Sequence, residues 1–368
     1  MASGFAQWGN DLHTGRKSYN IVGRRRTWYG IAILAVLASV LLLSVKGLNP
    51  GIEFRGGSQF TISGASSIEQ QPAIDAVASI APAESPRVSS IGSSAVRVQT
   101  AELTTDEVAA VRDALAVAYD VPVEDVASSF IGPSWGADVS SKAITGLIVF
   151  LVLVSVVMTI YFRAWRMAAA ALIALGNDLI LTVGVYALIG WEVTPATAIG
   201  FLTILGYSIY DTVVVFDKVR ENTAGVLDQS RSTYAELANL AVNQTLVRSI
   251  NTSVVALLPV SAILFVGTFI LGAGTLRDIS LALFVGMFVG TFSSIFLATP
   301  LEVTFREREP RMLAHTKKIH ELRAAAAAVG TPTEAGALAG VAAYGAHLLP
   351  GQHQGTAAQP KRRKSGKK

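Results

Sequence analysis

The 368-residue chain has no cysteine, which excludes disulfides, thiol nucleophiles and cysteine-ligated metals. Histidine is scarce too. His13, His315, His320, His347 and His353 all lie outside the apolar stretches and show no ligand spacing, so no metal or other cofactor is expected. Charge is the third shortage: 15% of residues are Asp, Glu, Lys or Arg, against roughly 25% in soluble domains. No nucleophile–base pair and no phosphate-cradling glycine loop can be read from the sequence, so an enzyme is not expected. What is abundant is apolar surface, at 51% of residues and a mean hydropathy of +0.47. A polytopic membrane protein follows.

Hydrophobic runs long enough to cross ~30 Å of hydrocarbon as helices occur at 29–46, 143–162, 167–189, 197–216, 249–271 and 279–297. The first follows a basic arm, residues 1–28, carrying Arg16, Lys17 and Arg24–Arg26. It is long and lacks a small-residue cleavage site, so it reads as an uncleaved span rather than a signal peptide. By the positive-inside rule the N-terminus is cytoplasmic. Arg163 and Arg166 mark an inner turn, and Trp191 with Glu192 an outer one. The turn at 272–278 is also expected outside, and the polar connection at 217–247 inside. The tail, 301–368, begins as a charged helix and becomes Ala- and Gly-rich, and is expected to be largely disordered. It ends in Lys361, Arg362, Arg363, Lys364, Lys367 and Lys368, a basic block suited to solvation or to contact with anionic lipid or the ribosome.

Residues 47–142 differ in kind. With Lys46 included, the segment holds twelve acidic and six basic residues. Its pattern predicts strand 58–63, helix 68–80, strands 87–91 and 95–100, helix 104–118 and strand 125–131. Thr104 and Thr105 offer cap oxygens to the second helix, and Val108, Val111, Leu115 and Ala118 recur at helical spacing. A β-α-β-β-α-β order implies a ferredoxin-like domain of α+β class between the first and second spans, on the extracytoplasmic side.

Asp211 stands out among the apolar spans, since an ionised carboxylate at membrane depth costs at least ~2.5–3.5 kcal/mol. Thr203 and Tyr207 precede it by eight and four residues and are expected to share its face. Arg248 opens the fifth span, with Asn251 and Thr252 beside it. It either pairs with Asp211 or snorkels to the headgroups. A buried acid with a movable cationic partner suits a proton relay. Asp178, next to Asn177, is a second intramembrane acid, either a further relay position or a hydrogen-bonding partner of a neighbouring helix. Gly286, Gly290 and Ser294 recur every four residues and predict close helix packing. Gly56 and Gly57 alone signal a turn.

Four stretches carry a resemblance: GIEFRGGSQF at 51–60, GYSIYDTVVVFDKVREN at 206–222, QTLVRSINTS at 244–253 and GTFSSIFLATP at 290–300. Together they resemble the SecD/SecF family of protein-export membrane subunits, within the resistance-nodulation-division superfamily, over roughly residues 15–310. Glu53 stands where the family pattern has Asp, and Tyr210 where it often has Asn. Glu53, Phe54, Gly56 and Gly57 match the family's first motif. The resemblance implies that Asp211 is the proton-linked aspartate and Arg248 its arginine, with sodium an alternative to the proton. It implies an accessory subunit of a bacterial plasma-membrane translocase driven by the proton-motive force, with both termini cytoplasmic. The implied partners are a SecD-like sister subunit, the SecYEG channel, a YidC-like insertase and the translocating unfolded polypeptide. An efflux permease of the same superfamily is the rival reading, although ~95 external residues are few to enclose a substrate. A helix-holding scaffold is another.

Overall fold

In a computed structural model, residues 4–84, 86–91, 94–269 and 274–328 are described. Helix α1 (Gly4–His13) precedes the first long helix, α2 (Arg25–Lys46). A two-residue strand β1 (Asn49–Pro50) and a single helical turn α3 (Ile52–Arg55) lead into the sheet. That sheet is made of β2 (Gly57–Ile62), β3 (Arg87–Ile91), β4 (Ala95–Thr100) and β5 (Val126–Ile131). Helix α4 (Gln71–Ile80) links β2 to β3, and α5 (Thr105–Tyr119) links β4 to β5. The remaining chain is helical: α6 (Pro133–Phe162), α7 (Trp165–Ile189), α8 (Pro195–Asn222) after the short strand β6 (Glu192–Val193), and α9 (Tyr234–Phe269). Then α10 (Gly274–Ser293) passes through a π-helical turn (Ser294–Ala298) into α11 (Thr299–Glu307), and α12 (Pro310–Ala328) follows. Among the described residues six helices are long and apolar enough to cross a membrane. The protein is a multi-pass membrane protein.

The four strands pair antiparallel in the order β3-β4-β2-β5. Alternation in β4 sends Val96 and Val98 inward and Arg97 and Gln99 outward, as a pleat of period two requires. Phe60 and Ile62 of β2 join them, and Ala73, Val77, Val111, Leu115 and Tyr119 close the core from α4 and α5. Thr104 accepts from the Glu107 amide at 3.3 Å while the Glu107 carboxylate accepts from the Thr104 amide at 2.8 Å, a reciprocal cap. Those donated hydrogen bonds hold the Glu107 carboxyl below its ordinary range. The Gly56–Gly57 turn carries the chain from α3 into β2. Gly57 has φ +127°, and a Cβ there would overlap the Thr100 carbonyl, so only glycine fits.

The bundle is layered. Helices α7, α8 and α10 form its buried centre, while α2 and α6 expose most of their apolar flanks, as helices facing lipid do. Several helices outrun their apolar spans. Thus α6 begins at Pro133 rather than 143, and α9 at Tyr234 rather than 249, absorbing part of the polar connection expected at 217–247. The added half of α9 packs against the N-terminal arm. Asn243, fully buried, accepts from the Tyr19 amide at 2.7 Å and donates to the Tyr19 carbonyl at 2.9 Å. Asn239 accepts from the Ile21 and Val22 amides at 2.9 and 3.0 Å. Leu12 of α1 is buried beside Val242 and Leu246. At the other terminus α12 is tied down by Arg323 to Glu236 at 2.7 Å and by His315 to the Gln229 carbonyl at 2.7 Å. The end of the expected fifth span, part of the turn at 272–278, and the tail from 329 with its basic block lie outside the described residues.

Truncating Phe60 or Leu115 to Ala in the closed core of the sheet domain should cost ~2–5 kcal/mol. Limited proteolysis of the full chain against temperature should show earlier cleavage within 57–131, with the long helices still protected. Unchanged cleavage would contradict the assigned core.

Candidate functional site at the α8–α10 contact

Helix α8 starts on a reciprocal cap between Thr194 and Thr197, with Pro195 at its first position. It runs parallel to α10, and the two touch at regular intervals. Gly200 lies against Ala282, Ile204 against Gly286 and Ser208 against Gly290. A Cβ on Gly286 would overlap Ile204, and one on Gly290 would stand 3.1 Å from the Ser208 Cβ. The four-residue recurrence of small groups expected on this helix therefore has a structural cause, close approach of a specific neighbour. One turn further along, Asp211 meets Ser294.

Asp211 is 4% exposed. Its Oδ1 accepts from Ser249 Oγ on α9 at 2.8 Å, and its Oδ2 accepts from Ser294 Oγ. Ser294 opens the π-helical turn, whose extra residue re-aims side chains and recurs at functional sites. Around them Ser253 bonds the Ser249 carbonyl at 2.8 Å, Thr291 donates to Ser253 at 2.7 Å, and Tyr207 reaches Ser253 at 3.4 Å. Asp178 on α7 is fully buried. It accepts from Ser208 Oγ at 2.6 Å and from Asn177 Nδ2 at 3.4 Å. Ser208 lies three residues before Asp211, so α8 addresses both acids. Ser293, the neighbour of Ser294, reaches the Ala174 carbonyl at 3.4 Å, one turn before Asp178. Among the described residues neither carboxylate has an ion-pair partner within 4 Å.

The expected Asp211–Arg248 pair is not formed. Consecutive helical residues point ~100° apart, and Ser249 is the one aimed at Asp211. Arg248 is exposed and lines a surface cavity of about 530 Å³ with Asn10, His13, Gln244, Asn251 and Thr252. Asn251 is exposed, and Thr252 bonds the Arg248 carbonyl at 2.8 Å. Thr203 is also exposed and bonds its own helix at Ile199. Eight residues advance a helix by roughly 800°, which leaves Thr203 about 80° off the Asp211 face. Only Tyr207 of the expected supporting group turns inward. The hydroxyls that do the solvating, Ser208, Ser249, Ser253, Thr291 and Ser294, carry no signal in the sequence, because serine and threonine are common in apolar helices. A third buried acid, Glu302, accepts from Tyr234 OH at 2.6 Å near the far end of the bundle.

The residues of the first motif sit elsewhere. Glu53, Phe54, Gly56 and Gly57 form the joint between α2 and the sheet, where the Phe54 carbonyl lies close enough to Gly136 that a Cβ there would stand 2.7 Å away. Glu53 Oε2 is buried there with no hydrogen-bond partner among the described residues. No group of side chains with metal-ligand spacing occurs among the described residues.

The sequence profile described as Protein export membrane protein SecD/SecF, C-terminal, matches residues 111–308, and the SecD/SecF GG Motif profile matches residues 41–64. The chain belongs to the SecD/SecF family. The Protein translocase subunit SecF of Streptomyces coelicolor is 47% identical over 331 residues, covering 89% of this chain and 88% of that one. The SecF of Escherichia coli O157:H7 is 30% identical, covering 82% and 92%. Among solved structures, SecDF from Thermus thermophilus, titled a translocon-associated membrane protein, superposes with a TM-score of 0.71 at 30% identity. It covers 80% of this chain, which spans 39% of that longer one. The GG Motif match thus includes the turn at the sheet joint, and the C-terminal match spans the whole of α7, α8, α9 and α10, with Asp178 and Asp211 among its residues.

A Gly286→Leu substitution should disrupt the α8–α10 contact, at the ~1–3 kcal/mol typical of overpacking. Gly146→Leu, at a position with no neighbour within 4 Å of an added Cβ, should leave the detergent-solubilised protein's thermal unfolding unchanged. Equal effects of the two would contradict the contact.

Proposed function

We propose that the chain is a non-enzymatic accessory subunit of the Sec translocase, with Asp211 as the group that takes up and releases a proton to drive late steps of polypeptide export. The observation that carries this reading is the environment of Asp211: 4% exposed, and solvated by two serine hydroxyls from two other helices. A hydroxyl can donate to a carboxylate or accept from a carboxylic acid. Either protonation state therefore keeps its hydrogen bonds after a small rotation, as a relay position requires. Asp178, joined to α8 through Ser208, is a second relay position. Sodium in place of the proton is the alternative ion.

Arg248 modulates this site from outside. Its guanidinium and Asn251 are exposed on one side of the spanning helix α9, beside Asn10 and His13, a polar face that hydrocarbon solvates poorly. We assign that face to a SecD-like sister subunit, in keeping with the longer SecDF chain of which this one spans 39%. The SecYEG channel, a YidC-like insertase and the unfolded polypeptide are the further partners. The domain at 47–142 reads as ferredoxin-like from its strand order and as extracytoplasmic from its acidic excess; it is the part that moves. The arm at 1–28 and the tail at 301–368 are cytoplasmic, the spans at 29–46 and 143–300 cross the plasma membrane, and the basic end of the tail suits anionic lipid or the ribosome. One proton crossing ~150–200 mV releases roughly 3.5–4.5 kcal/mol, enough to move a two-state equilibrium by two to three decades.

Asp211→Asn should reduce export of a secreted reporter, at held membrane potential, to the level of cells lacking the protein, while Asp211→Glu keeps part of it. Wild-type export by the Asn variant would overturn the proton role.

A further inference from the structure

The hydrophobic core of the four-stranded domain is closed on itself. Every buried residue of that cluster lies between Phe60 and Val126, and none comes from a spanning helix. The domain is joined covalently to the bundle through the GG turn and through Gly132 into α6. Beyond these joints two polar side-chain ties reach from the sheet to the loops at the bundle's end. Arg97, facing outward from β4, pairs with Glu192 at 3.0 Å, and both side chains are largely shielded from solvent, at 13% and 17% exposure. The Arg87 guanidinium reaches Asn49 at a long 3.4 Å and is exposed.

Glu192 is itself fixed. It lies in β6, which pairs in parallel with β1. The Gly51 amide donates to the Val193 carbonyl at 2.8 Å, and Asn49 Nδ2 to the Gly190 carbonyl at 2.8 Å. Two residues on, Thr194 caps α8 and also donates to Asp278 Oδ2 on α10 at 3.4 Å. Asp278 is 6% exposed, bonds the adjacent Arg277 at 3.2 Å, and lies near enough to feel the charges of Arg97 and Glu192. The anchor of the domain thus sits where α8 and α10 begin. These are the two helices that pack in parallel through Gly200, Gly286 and Gly290 and whose further turns hold Asp211 and Ser294. Seventeen residues of α8 separate Thr194 from Asp211, about 25 Å at 1.5 Å per residue.

We propose that the Arg97–Glu192 ion pair is the latch that holds the four-stranded domain on the bundle, and that it opens when α8 and α10 shift against each other. The link to export rests on the proton-driven reading above; the latch itself does not. Opening a shielded pair leaves two poorly solvated charges, so the docked and released domain are discrete states rather than a continuum. Arg97 and Glu192 act as positioning residues.

The absence of native cysteine makes the test direct. Spin labels on Val117→Cys, 83% exposed on the domain, and Leu188→Cys, 51% exposed at the end of α7, report the separation by double electron–electron resonance in full-length protein in liposomes. The proposal predicts a narrow distance distribution for the labelled parent, broad ones for Arg97→Glu and for Glu192→Arg, and a narrow one again for the double swap. Asp278 senses both positions, so the swap keeps the local charge sum. Export in cells should fall with each single change and recover with the swap, a coupling of about tenfold. Narrow distributions in both single variants, or a swap as broad as the singles, would overturn the latch. If the labels respond as predicted while Asp211→Asn exports normally, the latch stands and the proton reading fails.

Discussion

Asp178 and Asp211 lie inside an apolar bundle with no cation within ion-pairing distance among the described residues, and much of the surrounding structure follows from that constraint. Hydroxyl groups have to reach them. A serine side chain is short, so its helix has to come close, and close approach demands glycine or alanine at the crossing. The glycines of α10 face Ile204 and Ser208, which brings Ser294 up to Asp211 and leaves Ser208 free to turn toward Asp178. The π-helical turn begins at the residue that must aim into the site. Packing and chemistry are here one requirement.

The same pair of helices reaches the sheet domain at its other end. Thr194 and Asp278 join the starts of α8 and α10 across a hydrogen bond, and the loop before Thr194 carries the β1–β6 pairing and Glu192. The acid site and the domain joint therefore lie toward opposite ends of the same packed pair of helices, rather than side by side. This separation puts two of the family-like stretches apart in space: GIEFRGGSQF at the turn of the domain joint, and GYSIYDTVVVFDKVREN on α8 with Asp211.

Much of this was legible in the sequence where the signal was periodic or costly. Long apolar runs mark the spans, alternation marks β4, and the cap oxygens at Thr104 and Thr105 mark the start of α5. An aspartate inside a span announced itself by its desolvation cost. What failed was angular. Spacing of eight residues suggests that Thr203 shares the Asp211 face, yet it rotates the side chain well off that face. Similar depth on the next span leaves pairing and snorkelling of Arg248 both open until the one-residue offset to Ser249 is seen. The partners turned out to be serines, whose type is too common in apolar helices to signal a role. Nor does periodicity reveal long-range polar clamps. Asn239 and Asn243 hold the backbone of Tyr19, Ile21 and Val22 from more than two hundred positions away, so the sequence shows a basic arm and a polar connection long enough for helices, but not that the two are clamped together.

The central claim is that Asp211 exchanges a proton while keeping its serine partners. Difference infrared spectroscopy of the assembled complex in liposomes, with and without an imposed proton gradient, tests it most directly. The account predicts a protonated-carboxyl carbonyl band that changes with the gradient, shifts when Ser294 is replaced by alanine, and vanishes in Asp211→Asn. A spectrum in which the Asp211 carboxyl keeps one protonation state under both conditions would contradict it.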